Sequence, residues 1–255
     1  MAAVLEVKNV EKVYGGRGSS TRALAGVSFS VEKGDYVGIM GASGSGKTTL
    51  LNCIATIDVP TSGAVLINGQ DVTRMSPRQL SDFRREQLGF VFQDANLLDT
   101  LTARENIALP LTIGRVAPKQ IRERVEGMAA MLGIEAVLDK YPYQMSGGQR
   151  QRVAAARAMV GDPKLVLADE PTGALDSKNA KLLLECFDML NERLGATILM
   201  VTHDSFAASY CKRVVFIRDG KVFTEVVRGA ATRRQFFDRI MEVVAVIGGD
   251  QSDAR

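Results

Sequence analysis

Histidine occurs once in this chain and cysteine three times, too few for a metal centre built from soft or imidazole ligands. Cys53, Cys186 and Cys211 show no C-x-x-C spacing and stand among apolar neighbours, which predicts buried free thiols. No apolar run approaches the roughly 18 residues that a membrane span requires. Leu5 opens a strand-like alternation so early that no secretory leader is expected. The 32 basic residues are nearly matched by 29 acidic ones, a formal net charge of +3, which argues against nucleic acid as a partner. Internal repeats, low-complexity tracts and long linkers are missing too. These absences leave a soluble chain of 255 residues, read as one large domain or a domain with a lobe.

What is present is glycine in two special places. Gly41 to Thr48 read GASGSGKT, the phosphate-binding pattern in which glycines let backbone N–H groups turn inward around phosphates. Gly41, Ser43, Gly44, Ser45 and Gly46 form the cradle, with Thr49 following; Lys47 reaches the outer phosphates and Thr48 offers its hydroxyl to magnesium. About a hundred positions later, Met145 to Arg152 read MSGGQRQR, where Ser146, Gly147, Gly148 and Gln149 open a helical stretch and make a second anion-binding helix start. One active site rarely needs two such starts. Two chains arranged head to tail would use both.

The elements around these motifs predict an α/β fold with an antiparallel β subdomain and an inserted helical lobe. Leu5–Tyr14 and Val27–Val31 alternate as half-buried antiparallel strands do. Tyr36–Met40 is a short apolar strand running into the phosphate loop, and Thr48–Ile57 reads as the helix that leaves it. Val65–Asn68 and Leu88–Phe92 read as further strands. From Asn96 to Ala158 the spacing turns helical, with breaks expected at Pro110, Pro118 and Pro142. Leu165–Ala168 and Thr197–Thr202 read as buried parallel strands. Val214–Ile217 and Lys221–Val226 flank an Asp219-Gly220 hairpin turn. The expected division is a phosphate-binding domain at 1–228, its lobe at about 94–160, and a C-terminal helix and tail at 229–255. In that extension Phe236, Phe237, Ile240, Met241, Val244 and Ile247 recur at helical spacing, and Gly248–Arg255 reads as disordered.

From about Leu5 to Val222 the chain resembles the ATP-binding cassette (ABC) ATPases, whose motifs it carries in family order. It is most similar to the ATPase subunits of bacitracin-type peptide-antibiotic resistance transporters, on the segments Cys53–Gly63, Gly89–Ile107 and Val201–Lys221. A sister group, the macrolide-export and lipoprotein-release ATPases, shares much of this. Met145 departs from the leucine usual in the family, a swap that conserves volume.

The resemblance implies roles for further residues. In LVLADE, Leu165 to Glu170, Asp169 matches the position that holds magnesium and Glu170 the general base for the attacking water. Gln93 matches the amide that binds magnesium and water and shifts with the lobe. His203 matches the histidine that meets the γ-phosphate, and Asp176 the loop joining the two sites of a dimer. Tyr14 would stack on adenine. Ser146 and Gly148 would cap the γ-phosphate bound to the opposite chain.

ATP and Mg²⁺ are therefore the expected ligands, and a second copy of the chain and an integral-membrane permease the expected partners. A sensor histidine kinase is a further candidate. The expected place is the cytoplasmic face of the membrane, held there by the permease, whose helices would meet the Asn96–Ile107 segment. The same engine on a macrolide, lipoprotein or cell-division permease-like partner is one alternative reading. A non-transport ATPase acting on DNA or ribosomes is another.

Overall fold

A computed structural model describes residues 3–16 and 19–249 of the chain. The N-terminal strands β1 (Ala3–Gly16) and β2 (Ser19–Glu32) pair antiparallel. With β4 (Ser62–Ile67) and β5 (Gln70–Asp71) they form a sheet in the order β2-β1-β4-β5. The alternation slips between Val7 and Val10, where Asn9 takes a positive φ of 47° in a bulge and donates its N–H to Ser28 Oγ at 2.8 Å.

The second sheet is mostly parallel: β3 (Tyr36–Met40), β6 (Leu88–Val91), β7 (Leu165–Asp169), β8 (Ile198–Val201), β9 (Arg213–Arg218) and β10 (Lys221–Val227). Its order is β10-β9-β3-β8-β7-β6, and only the β9–β10 hairpin is antiparallel. Asp219 and Gly220 both take positive φ at the turn, as a two-residue hairpin demands. The two-residue period of a strand divides the sheet's side chains between two cores. Tyr36, Met40, Val166, Met200 and Phe216 join one; Val37, Ile39, Leu167, Val201 and Ile217 join the other.

Helix α1 (Lys47–Ile54) lies on the second of these faces, and α2 (Pro77–Gln87) adds Phe83 to the same cluster. Apolar periodicity does not mark α2 in the sequence, since Phe83 is its one buried residue. Its signal was local, since Ser76 and Gln79 form a capping box and Pro77 stands at the first turn. The lobe contributes α3 (Ala103–Ile113) and α4 (Pro118–Leu132), followed by α5 (Gly147–Met159). Pro110 does not break α3 as expected. It sits inside the helix, costs one backbone donor, and the helix runs on for three residues. Nor does the lobe turn helical at Asn96. The chain from Leu98 to Thr102 is a loop held by Asn106, 0% exposed, whose amide donates to the carbonyls of Leu98, Leu101 and Thr102 and accepts from Leu98 N–H.

Helix α6 (Ser177–Leu194) buries Leu183, Leu184, Phe187 and Leu190 at helical spacing; α7 (Ser205–Ala208) is one short turn. The last helix, α8 (Arg233–Gly249), seats Phe236, Ile240 and Ile247 in the same core, while Met241 and Val246 stay exposed. The extension therefore packs on its own domain. Residues 250–255 of the expected tail lie outside the described residues. Among the described residues no helix is long and apolar enough to cross a membrane.

All three cysteines are free and buried. Burial pushes the Cys53 thiol up to about 11 and raises Cys186 and Cys211 as well. Only the thiolate is nucleophilic, so the folded protein resists iodoacetamide at pH 8 and takes up the label on unfolding. Mass spectrometry of native and denatured samples checks this; rapid native labelling of any cysteine would contradict its burial.

Candidate nucleotide site

Strand β3 ends at Gly41 and the chain wraps into α1 through backbone that only glycine tolerates. A Cβ on Gly41 would stand 2.1 Å from the Ile217 carbonyl, and one on Gly46, at φ 103°, 2.4 Å from the Ala23 carbonyl. The hairpin and β2 thus press the loop into shape; Gly220 N–H also donates to the Ser45 carbonyl. Gly46 caps α1 with no side-chain hydrogen bond, which leaves the first-turn N–H groups free for an anion. Ser45 Oγ is buried without a partner. Lys47 folds back over the loop and donates to the carbonyls of Gly41 and Ala42, both at 2.9 Å. Burial lowers its pKa, and Glu170 and Asp169 pull the other way. The Lys47 ammonium is poised for negative charge that its own carboxylates only partly supply.

That loop lines a cavity of about 500 Å³ together with Glu170 and His203; Ser43, Gly44 and Thr48 also border it. Glu170 follows β7 with φ 46°, left-handed backbone that costs a non-glycine residue about 1 kcal/mol. Its N–H donates to the Val201 carbonyl at 2.9 Å, and Gly173 N–H donates to its carbonyl at 2.9 Å, which hold it there. The carboxylate accepts from His203 Nδ1 at 2.8 Å and from His203 N–H at 3.3 Å. In a neutral ring this leaves Nε2 without a proton, so a bond from Nε2–H to a phosphate requires either the imidazolium or release from Glu170. The two residues lie 33 positions apart, and no local pattern in the sequence marks their contact. Burial raises the Asp169 pKa, Glu170 adds to the rise, and Lys47 opposes it.

The remaining residues lie apart from this cavity. Tyr14 is 41% exposed; its hydroxyl donates to Asp58 at 2.7 Å beside Thr49, and Lys12 Nζ sits 4.9 Å from its ring centroid. Ser146 caps α5. Its Oγ accepts from Gln149 N–H at 3.3 Å while the Gln149 side chain accepts from Ser146 N–H at 2.9 Å. The serine proton stays free to donate. Gly148 lies against Asn179, which Asp176 holds through two hydrogen bonds of 2.9 and 2.7 Å. Gln93 and Gly147 border a second cavity of about 280 Å³ with Leu175. Val244, Ile247 and Gly248 of α8 form a wall of the first cavity, a role that the apolar spacing of α8 did not reveal.

A glycine loop between a parallel strand and an uncapped helix, with acids at the end of a parallel strand one place removed in the same sheet, defines a P-loop nucleoside triphosphatase. The sequence profile of the ABC transporter family matches residues 24–173. ABC transporter ATP-binding protein YxdL of Bacillus subtilis is 53% identical over 253 residues, 99% of this chain and 98% of that protein. The bacitracin export ATP-binding protein BceA of Halalkalibacterium halodurans is 51% identical over 251 residues, 98% of this chain and 99% of that one. The ATP-binding cassette MJ0796, solved as a dimer in a post-hydrolysis state with ADP and Pi, superposes with a TM-score of 0.79. It is 40% identical and covers 88% of this chain and 98% of its own. The chain belongs to the ABC transporter family, as an ATP-binding and ATP-hydrolysing subunit.

Proposed function

We propose that two copies of this chain close head to tail on two ATP molecules and drive a separate permease that protects against bacitracin-like peptides. The division of the site carries the first half. The phosphate loop, Glu170 and His203 share one cavity, and among the described residues Ser146, Gly148 and Asp176 do not line it. In this reading a second chain supplies them. The peptide class comes from the 51% identity to the bacitracin exporter.

In this reading ATP draws Lys47 from the loop carbonyls to the outer phosphates, and the partner's serine hydroxyl caps the γ-phosphate. Tyr14 stacks on the adenine. Glu170 takes the proton of the attacking water while His203 fixes the carboxylate. Among the described residues no three His, Cys, Asp or Glu side chains cluster to hold a metal unaided. Thr48, Asp169 and Gln93 instead offer the hard oxygens that magnesium takes alongside phosphates, where it would neutralise charge on the β and γ groups. Loss of the γ-phosphate then lets the dimer open. The lobe at 94–160 moves with that opening, and the domain sits on the cytoplasmic face through its permease, with 229–255 as an appended helix and tail. A sensor histidine kinase is not part of this proposal.

Deleting the gene should sensitise its host to bacitracin, and wild-type protein but not Glu170→Gln should restore growth. Unchanged susceptibility would remove the peptide reading and leave the ATPase. Coupling is tested by Arg104→Glu. Arg104 pairs with Asp139 at 3.1 Å and Glu126 at 3.5 Å on the lobe surface, exposed pairs worth about 0–1 kcal/mol. The variant should fold, keep basal ATPase and lose resistance; a parallel loss of ATPase would count against a coupling role.

A further inference from the structure

Helix α5 begins at the Ser146 cap and sends two side chains to one short stretch of chain, residues 92–96. Gln151 is 2% exposed, and its Nε2 donates to the carbonyls of Phe92, at 2.8 Å, and Gln93. Arg157 donates through Nη1 to the Asn96 carbonyl at 2.8 Å and through Nη2 to the Ala95 carbonyl at 2.9 Å. Loop carbonyls with no sheet partner need donors, and here a buried amide and a planar guanidinium fork provide them. The helix lies hard on the strand that leads into this loop. A Cβ on Gly89 of β6 would stand 2.3 Å from the Ala158 carbonyl. Gln151 Oε1 is buried with no partner, so what the amide contributes there is its donors.

We infer that Gln151 and Arg157 are positioning residues that tie the Gln93 loop to the Ser146–Gly148 turn as one mechanical unit. Gln151 stands five residues beyond Ser146, about 7.5 Å along a helix that does not stretch. A shift of Gln93 at this chain's own nucleotide therefore moves the serine offered to the partner's nucleotide. The two ATP sites of a dimer are linked through α5. The inference rests on the proposed roles of Gln93 and Ser146, and the test separates the two claims.

The experiment is a double-mutant cycle in the full-length chain with Gln93→Ala, Gln151→Leu and both together, read as kcat, KM for ATP and the Mg²⁺ concentration for half-maximal turnover. Gln151→Leu keeps volume and removes the donors. It should lower kcat about tenfold, change KM less than about threefold and raise the Mg²⁺ requirement, because the phosphate loop is untouched. In the Gln93→Ala background the same change should cost less than about twofold, since its effect passes through Gln93. A full tenfold loss in both backgrounds, or none in either, overturns the tie. Normal turnover in Gln93→Ala alone overturns the role of Gln93 beneath it. Should Gln151→Leu fail to fold, Arg157→Lys, which keeps charge and loses the fork, runs the same cycle, and ATP-driven dimer formation in the Glu170→Gln background gives a readout independent of turnover.

Discussion

Replacing Glu170 with glutamine lowers ATP turnover by about 10²–10⁴-fold and leaves ATP binding intact. The substitution changes almost nothing but basicity. Glutamine has the same length, and its carbonyl oxygen can still accept from His203 Nδ1, which sits 2.8 Å from the carboxylate. The backbone bonds from Glu170 N–H to Val201 O and from Gly173 N–H to Glu170 O do not involve the side chain, so the left-handed turn survives. What disappears is an acceptor for the water's proton. With γ-phosphate retained, the closed state persists, and light scattering should find an ATP-dependent dimer that nucleotide-free protein lacks. Phosphate release measures turnover, and calorimetry measures binding. Near-normal hydrolysis would show that the proton goes elsewhere and would remove Glu170 as the base.

Lys47→Ala and Gly148→Ala should each silence a homodimer, and mixing the two proteins should bring activity back. Lys47 supplies the charge for the outer phosphates; two unit charges 4 Å apart interact by about 4 kcal/mol near a protein surface, so its loss costs on the order of 10²–10³ in turnover. Gly148 fails for a steric reason. A methyl there would stand 2.2 Å from Asn179 Oδ1 and 2.8 Å from its Cβ. Asn179 cannot easily yield, because Asp176 holds both its backbone N–H and its side-chain amide. In a head-to-tail mixed dimer one site carries both lesions and the other carries none. Random pairing of equal amounts then restores roughly a quarter of wild-type activity if the sites fire independently. Were the Ser146–Gly148 turn to serve its own chain's phosphate loop, every site in the mixture would stay damaged. Activity no higher than that of either parent would therefore count against the head-to-tail arrangement.

Some of the fold was legible because it is written in short stretches. The strand at Tyr36–Met40 and the hairpin at Asp219-Gly220 follow from apolar runs and turn chemistry within a few residues. Helix α2 was equally local, in the Ser76–Gln79 capping box, yet its face is too polar for periodicity to find, with only Phe83 buried. Pro110 misled in the other direction. A proline's preference is a local cost, and burial of Ala103, Ile107 and Leu111 in the lobe outweighs it.

By itself the sequence determined the phosphate loop, because an eight-residue pattern of glycine, lysine and threonine dictates a backbone that binds phosphates. The order of the other motifs determined the family. Tertiary structure alone decided how those parts meet. His203 reaches Glu170 across 33 residues, and Gln151 reaches Phe92 across 59. The end of α8 comes to wall the phosphate cavity because Phe236 and Ile240 are buried in the core and the helix packs against α7 and β10. Contacts of that range follow from which faces the sheets and helices bury against one another, and no window of neighbouring residues encodes them.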